Sequence, residues 1–263
     1  VQKRQAIVLS KEQWVGLQTA LSRKVSIITG GPGTGKTTLV RAILTVFHEA
    51  GKRVLLCAPT GRAAKRLSEV TGHEAKTIHR MLSYDFKSGG FKKNENNPLD
   101  TDVIIVDETS MVDTFLMYHL LKAVPMTAVL VMVGDVNQLP SVGAGNVLRD
   151  MIDSQQIPVV FLEEIFRQAQ ESLIITNAHR INQGRFPRLD PTPVDASVDR
   201  DFYFIEQPDP DQVAARIVRL CRDEVPAKFN LDPIHDIQVL TPMHRGSVGT
   251  INLNQLLQKV LNP

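Results

Sequence analysis

The chain has 263 residues, a length typical of about two domains, and 43% of them are hydrophobic, which suffices for buried cores. Its formal net charge of +2 at pH 7 does not by itself mark a nucleic-acid-binding protein. No apolar run approaches the ~20 residues of a membrane span, no signal-peptide pattern opens the chain, and no membrane partner is expected. Cys57 and Cys221 are expected to be free thiols in a reducing cytoplasm, and a first residue other than Met suggests a missing upstream segment.

The first predicted element is a helix that begins after Ser10. Ser10 and Gln13 fit a capping box, in which each side chain bonds to the backbone of the other residue. Gln13 also lies shortly before the glycine-rich loop that follows, where its amide could contact an adenine base. The spacing leaves both roles of Gln13 open.

A phosphate-binding loop follows the strand predicted at 25–28. Residues 30–37 read Gly-Gly-Pro-Gly-Thr-Gly-Lys-Thr, which fits the pattern G-x-x-x-x-G-K-[ST], and apolar residues at helical spacing come next. The glycines let backbone N–H groups turn toward phosphate oxygens at a helix N-terminus. Lys36 is predicted to reach the β- and γ-phosphates, and Thr37 to bind Mg²⁺ through its hydroxyl. The predicted nucleotide-binding residues are Gln13, Gly31, Pro32, Gly33, Thr34, Gly35, Lys36, Thr37 and Thr38.

A second strand, predicted at 54–58, leads into a basic turn and helix. Residues 60–93 hold eight Lys and Arg against three acidic residues. Because cations at a helix N-terminus oppose the helix dipole, they indicate an external anion such as a DNA phosphate; a solvated helix face is the alternative. Thr77 and His79 open another short helix, where a lone histidine is more often structural than functional.

Residues 83–99 are predicted to form a β-hairpin with a glycine turn. Tyr84, Phe86 and Phe91 flank a turn that contains Lys87 and two glycines. Aromatic side chains beside lysines could touch bases and phosphates, and a purely structural hairpin is the alternative.

Polar residues follow the next two predicted strands. The strand at 103–106 leads into Asp107 and Glu108. Asp107 is predicted to hold Mg²⁺ through water and Glu108 to take a proton from the attacking water, whereas a surface ion pair is the alternative. The strand at 129–133 leads to Gln138, which could sense a γ-phosphate or bond only to its own turn.

The rest of the chain continues the alternation of strands and helices. A fifth strand at 158–162 precedes Arg167, which either pairs with the nearby glutamates or acts as an arginine finger. A helix is predicted at 172–182 and a Pro- and Asp-rich linker at 184–201. Beyond it we predict strands at 202–205 and 237–240, helices at 209–224 and 252–261, and a basic turn that contains Arg245.

Together these segments resemble the RecD-like group of superfamily-one DNA helicases (the exodeoxyribonuclease V alpha-subunit family). Gln13 is similar to the Q-motif glutamine, which favours the adenine contact. The other similarities are residues 30–37 to motif I, 58–64 to the DNA-binding motif Ia, 106–110 to motif II, 134–143 to the coupling motif III, 166–168 to motif IV, whose arginine meets the γ-phosphate, and 83–99 to a hairpin inserted in the first motor domain.

The resemblance implies an α/β fold with a RecA-like parallel sheet covered by helices on both faces. It implies a first motor domain over 1–183, a linker over 184–201 and the first part of a second RecA-like domain over 202–263. ATP and Mg²⁺ are the implied cofactors, and the implied activity is ATP-driven 5′-to-3′ movement on single-stranded DNA in recombinational repair, with recombination or nuclease complex subunits as partners. The implied catalytic residues are Lys36, Glu108, Gln138 and Arg167, the metal residues Thr37 and Asp107, and the DNA-binding residues Pro59, Thr60, Gly61, Arg62, Thr77, His79 and Arg245.

The sequence departs from the family after Arg245, because motifs V and VI are not found there. We therefore expect a fragment or a natural truncation with reduced or no motor activity of its own. Two rival functions remain open: an ATP-binding regulatory or assembly module without turnover, and a phosphate-loop kinase acting on a small molecule. The segments similar to motifs Ia and III argue against the kinase.

Overall fold

The structure is a computed structural model that describes residues 8–85, 87, 89–166, 171–189 and 201–262. The chain divides into two compact units. The first comprises the described residues up to Arg188 together with Asp201 and Phe202, and the second comprises Leu189 and the described residues from Tyr203 onward.

The first unit alternates strands with helices. In chain order its elements are α1 (Lys11–Ser22), β1 (Val25–Gly30), α2 (Lys36–Glu49), β2 (Val54–Ala58), α3 (Gly61–Thr71), β3 (Ala75–Thr77), α4 (Ile78–Met81), β4 (Tyr84–Asp85), β5 (Gly90–Phe91), β6 (Val103–Val106), a 3₁₀ turn (Thr109–Met111), α5 (Thr114–Ala123), β7 (Val129–Gly134), α6 (Val147–Asp153), β8 (Val159–Leu162) and α7 (Leu173–Asn182). All five strands predicted in this part of the chain are present. Strand β3 was not predicted, because its three residues include no apolar run.

Six of the strands form one parallel sheet in the order β3-β2-β6-β7-β1-β8. Side chains along each strand alternate between the two faces, so neighbouring isoleucines enter different cores. Ile28 packs with Leu17 of α1 and Leu39 of α2 on one face. Ile27 packs with Ile78 of α4 and other apolar residues of α4 and α5 on the opposite face. The predicted α/β fold with helices on both faces is therefore confirmed.

The predicted hairpin is also present. Strands β4 and β5 pair antiparallel, with Tyr84 opposite Phe91 and Asp85 opposite Gly90. Gly89 in the turn has a φ of 68°, a left-handed conformation that suits glycine. Phe86 lies outside the described residues.

The second unit is helical in its described part. Its elements are α8 (Pro210–Arg219), a π-helical turn (Leu220–Glu224), α9 (Val225–Phe229) and α10 (Thr250–Leu261). The strands predicted at 202–205 and 237–240 are wrong, because no described segment of this unit runs beside either of them to form a ladder of hydrogen bonds. Residues 190–200 of the predicted linker lie outside the described residues. None of the described helices combines the length and apolar character needed to cross a bilayer.

Candidate nucleotide and DNA site

The carboxyl ends of the parallel strands place the predicted site residues along one edge of the sheet. Across this edge, Thr77 ends β3, Pro59 and Thr60 follow β2, Asp107 and Glu108 follow β6, Asp135 follows β7, and the phosphate loop follows β1. Ligands of open α/β sheets bind at this edge. Within the first unit, the predicted DNA contacts thus lie on one side of the acidic pair and the phosphate loop on the other.

A cavity of about 480 Å³ opens beside the phosphate loop. Its lining comprises Gly31, Pro32, Gly33, Gly35, Lys36 and Thr37 of the loop, Ala63, Arg66, Leu67 and Val70 of α3, Asp107, Glu108, Gln138 and Ile175. The volume is in the range of small-molecule sites. The structure therefore brings together Lys36, Thr37, Asp107, Glu108 and Gln138, which are predicted to act in one reaction.

The phosphate loop is shaped as an anion site. Gly33 and Gly35 have φ angles of 77° and 78°, which a residue with a Cβ rarely adopts. The loop runs into the N-terminus of α2, where Gly35 provides no side-chain cap. The first N–H groups of a helix have no intrahelical partners and carry partial positive charge, so they are suited to bind phosphate.

Lys36 is held over this loop. Its Nζ donates to the carbonyl oxygens of Gly30 at 2.6 Å and Gly31 at 3.0 Å. Burial lowers the pKa of Lys36, and the charges of Asp135, Glu108 and Asp107 oppose that change. Three carboxylates thus lie near enough to the Lys36 ammonium to influence its pKa.

Asp107 and Glu108 are both destabilised as charged groups. Burial raises the pKa of each carboxyl, and the neighbouring charge of Asp107 raises the pKa of Glu108 further. Within the described part of the chain, the Oε2 atom of Glu108 is buried with no hydrogen-bond partner. Glu108 also has a φ of 52°, which is strained for a residue with a side chain. Such strain and unmet bonding are typical of functional sites.

The donor set of the cavity fits a magnesium ion. Thr37 offers a hydroxyl oxygen and Asp107 a carboxylate, and both line the same space. Mg²⁺ prefers oxygen ligands and is commonly held by one or two protein groups together with substrate phosphates. These two residues could therefore hold it together.

Gln13 supports the loop from the protein interior. The capping box is confirmed, because Gln13 Oε1 accepts from Ser10 N at 3.0 Å and Ser10 Oγ accepts from Gln13 N at 3.3 Å. Gln13 Nε2 donates to the carbonyls of Thr34 at 3.4 Å and Gly35 at 3.2 Å. The side chain is fully buried and lies outside the cavity lining, as do Thr34 and Thr38. The adenine contact of Gln13 stays a prediction.

The residues predicted to bind DNA begin two neighbouring helices. Ala58 at the end of β2 pairs in register with Thr77 at the end of β3. Thr60 caps α3 by accepting from Ala63 N at 3.2 Å, and Thr77 caps α4 by accepting from Arg80 N at 3.1 Å. The structure therefore gives both threonines a capping role and brings their helix starts side by side.

Other predicted DNA contacts lie around these helix starts. Arg62 is exposed in the first turn of α3, directly after Gly61. The His79 ring lies 5.8 Å from the Tyr84 ring and 5.7 Å from the Phe91 ring of the hairpin, between ring centroids. Arg245 is exposed in the loop before α10 of the second unit.

Arg167, the predicted arginine finger, lies outside the described residues. Phe166 just before it donates its backbone N–H to the Gly33 carbonyl at 3.3 Å. Its ring lies against Gly35, since a Cβ on that glycine would come within 2.6 Å of Phe166 Cε2. The chain is therefore tied to the phosphate loop immediately before Arg167.

Sequence reasoning missed three residues of the site. Asp135 lies within the segment similar to motif III, but no role was assigned to it. Arg66 was counted among the basic residues of 60–93, yet it faces the nucleotide cavity; its position three and four residues from Ala63 and Val70 on α3 could have indicated this. Ile175 carries no motif signal, because it reaches the cavity only through the packing of α7.

Comparisons with known proteins agree with this geometry. A family profile described as "AAA domain" matches residues 13–144. The "ATP-dependent RecD2 DNA helicase" of Deinococcus radiodurans is 39% identical over 260 residues, which cover 97% of this chain and 33% of that protein. The "RecBCD enzyme subunit RecD" of Mycolicibacterium smegmatis is 43% identical over 167 residues, which cover 54% of this chain and 30% of that protein. The chain thus spans about a third of the length of these relatives.

Among solved structures, the crystal structure of Pif1 helicase from Candida albicans is similar, with a TM-score of 0.56 and 25% sequence identity. The match covers 81% of this chain and 55% of that chain. The family profile spans the segments similar to motifs I, Ia, II and III, and the structural match supports the RecA-like sheet. The chain therefore belongs to the AAA domain family, and its relatives support the resemblance to RecD-like superfamily-one helicases.

Proposed function

We propose that this chain binds Mg²⁺ and ATP in the cavity beside the phosphate loop and hydrolyses ATP as part of a motor that moves 5′ to 3′ on single-stranded DNA. The observation that carries the proposal is the position of α3. Thr60 caps this helix and Arg62 lies in its first turn, and both are candidate DNA contacts; Arg66 of the same helix lines the nucleotide cavity. One rigid element therefore touches both proposed ligands.

The proposed roles in hydrolysis follow from the site geometry. The N-terminal N–H groups of α2 and the ammonium of Lys36 bind the phosphates and offset the charge that develops on them. Thr37 and Asp107 would hold Mg²⁺, which supplies further positive charge to the phosphate oxygens when bound. Glu108 is the proposed proton acceptor for the attacking water, because its buried Oε2 is without a partner among the described residues and its pKa is raised by burial.

Two further groups complete the proposed catalytic set. Gln138 lies in the segment that follows β7, lines the cavity and is proposed to contact the γ-phosphate. Arg167 is proposed as an arginine finger, on the strength of its resemblance to the motif IV arginine and the attachment of Phe166 to Gly33.

The proposed DNA surface uses charge and aromatic rings. Arg62 and the N-terminus of α3 can bind a backbone phosphate. The rings of His79, Tyr84 and Phe91 contact one another and offer faces on which bases can stack. Arg245 is proposed to add a contact from the second unit.

The relatives suggest the setting of this activity. One is named an ATP-dependent DNA helicase and another a subunit of the RecBCD enzyme. We propose a role in DNA repair or recombination, with subunits of a recombination or nuclease complex as possible partners. The two free, buried cysteines favour a reducing, cytoplasmic compartment. Because segments similar to motifs V and VI are not found in the sequence, we propose that this chain alone has little motor activity.

ATP binding and steady-state ATP hydrolysis, each measured with and without oligo(dT), test the proposal. The Lys36→Ala variant is measured in parallel. We expect Mg²⁺-dependent ATP binding that Lys36→Ala weakens at least ~10-fold, and slow turnover that oligo(dT) increases. Rapid, DNA-stimulated turnover would contradict the low activity of this chain while supporting the motor assignment. ATP binding with no response to DNA would favour a regulatory module, and phosphate transfer to a small acceptor would favour a kinase.

A further inference from the structure

His179 of helix α7 contacts the phosphate loop. His179 Nε2 lies 3.1 Å from the carbonyl oxygen of Pro32, and because a carbonyl can only accept, Nε2 donates. The imidazole also lies against Gly31, where an added Cβ would be 2.7 Å from His179 Cε1. Gly31 is not among the glycines with positive φ, so a side chain there would meet the His179 ring and would not strain a left-handed backbone.

The same face of α7 forms part of the cavity wall. Ile175 lies one turn before His179 and lines the cavity. Residues four apart on a helix share a face, so the contact with Pro32 and the contact with the cavity come from one side of α7. No motif in the sequence assigns a role to either residue.

Helix α7 also bonds to the chain near the two described unit boundaries, which follow Arg188 and Phe202. Asn177 is 2% exposed; its Oδ1 accepts from Arg188 N at 2.7 Å and its Nδ2 donates to Arg188 O at 3.1 Å. At the other end of α7, the Asp201 carboxylate accepts from Leu173 N at 2.9 Å and from the Ser172 hydroxyl.

These two anchors lie close to the unit boundaries. The chain leaves the first unit after Arg188, and it leaves again after Phe202, the residue that follows Asp201. A displacement of α7 would therefore act on both connections at once.

We infer that α7 couples the phosphate loop to the segments that join the two units, with His179 as the positioning residue that makes the contact. The inference rests on the proposed function, because it assumes that a nucleotide binds at the loop. Phosphate binding rearranges the loop that carries Pro32, and the hydrogen bond to His179 passes that movement to α7. Asn177 and the N-terminus of α7 then pass it to Arg188 and Asp201. The coupling runs through separate hydrogen bonds at the two ends of one helix, and each bond can be broken singly.

Hydrogen exchange can measure this coupling directly. The backbone amides of Arg188 and Leu173 donate two of the hydrogen bonds, so their exchange rates report on these bonds. Exchange is measured on this chain with and without saturating Mg·ADP. We expect Mg·ADP to change the exchange rates of both amides at least ~5-fold in the wild type, the lower range of ordinary allosteric couplings. His179→Ala should bind Mg·ADP within about 3-fold of the wild type, yet lose this response.

Three further variants separate coupling from folding. In His179→Gln the amide can still donate to Pro32, so the response should return. In His179→Asn the shorter amide does not reach the Pro32 carbonyl, so the response should be lost. This variant therefore tests the loss of the hydrogen bond independently of any destabilisation by alanine. Ile174→Ala removes a side chain that is 53% exposed on the same helix and should keep the response.

Two results would overturn this inference but leave the proposed function standing. One is a wild type that binds Mg·ADP with no change at either amide, and the other is a response that persists in both His179→Ala and His179→Asn. Failure of the wild type to bind Mg·ADP at all would instead overturn the proposed function, and this inference with it.

Discussion

Replacing Gln13 by alanine should weaken the fold more than it changes the choice of nucleotide. The side chain is fully buried, and its amide bonds to Ser10 N on one side and to the carbonyls of Thr34 and Gly35 on the other. Alanine removes all three hydrogen bonds and leaves two phosphate-loop carbonyls without these donors.

The expected loss can be estimated from these bonds. Loss of the side-chain half of the capping box costs about 0.5–1 kcal/mol. Each lost bond to a loop carbonyl costs about 1 kcal/mol. The free energy of unfolding should therefore fall by roughly 2–3 kcal/mol, which lowers Tm by about 5–10 °C in a unit of this size.

Urea unfolding followed by Trp14 fluorescence measures this loss, because Trp14 is the single tryptophan of the chain and lies next to Gln13 on α1. Gln18→Ala, an exposed position on the same helix, is the matched control and should stay within about 0.5 kcal/mol of the wild type. A Gln13→Ala variant as stable as the control, but without preference for ATP over GTP, would refute the structural argument and support the adenine contact.

Three other predictions concern the catalytic pair, the DNA surface and the buried thiol. Glu108→Gln should slow ATP hydrolysis at least ~100-fold and retain ATP binding, as expected for loss of a general base. The same change should raise stability at pH 7, because it removes a carboxylate whose charged form is disfavoured by burial and by the charge of Asp107. Arg62→Ala should weaken binding of oligo(dT) and reduce the slope of log affinity against log salt by about 0.7, whereas Arg23→Ala, at the opposite edge of the sheet, should do neither. The thiol of Cys57 should react with a thiol reagent only as the protein unfolds, because it is fully buried and burial raises its pKa.

Each of these predictions has a contradicting result. The pKa of Glu108 is raised in the folded state, so the carboxyl contributes stability below its unfolded pKa and loses it as pH rises through the folded pKa. The stability that Glu108→Gln gains over the wild type should therefore shrink toward pH 4. A stability difference that grows on acidification would contradict this prediction. If Arg62→Ala and Arg23→Ala changed oligo(dT) affinity and its salt dependence equally, the proposal that α3 forms part of the DNA surface would be wrong. Rapid labelling of Cys57 in the native state would contradict its burial.

The sequence was enough to predict the sheet of the first unit and most of the site residues at its carboxyl edge. Long apolar runs such as 103–106 make buried strands recognisable, and parallel pairing then brings Asp107 and Lys36 to one edge. The strand at Ala75–Thr77 has no such run and exists because β2 offers it a partner. Conversely, the apolar segment at 202–205 has the pattern of a strand but no neighbour among the described residues.

The parts of the site that sequence did not predict depend on tertiary packing. Gln13 fits the capping box by its spacing from Ser10, but only the fold shows that its amide also meets the carbonyls of Thr34 and Gly35. Likewise, His179 lies 147 residues from Pro32 in the chain, and no local pattern predicts that contact.

The most direct test of the motor assignment is the affinity of the Glu108→Gln variant for fluorescent oligo(dT), measured without nucleotide, with Mg·ATP and with Mg·ADP. This variant is expected to hold ATP without consuming it, so each nucleotide state persists during the measurement. We predict that the affinity for oligo(dT) differs between the ATP and ADP states by at least ~5-fold. Oligo(dT) should change the affinity for ATP by the same factor as ATP changes the affinity for oligo(dT). Equal affinity for oligo(dT) in all three states would contradict the claim that this cavity drives movement on DNA.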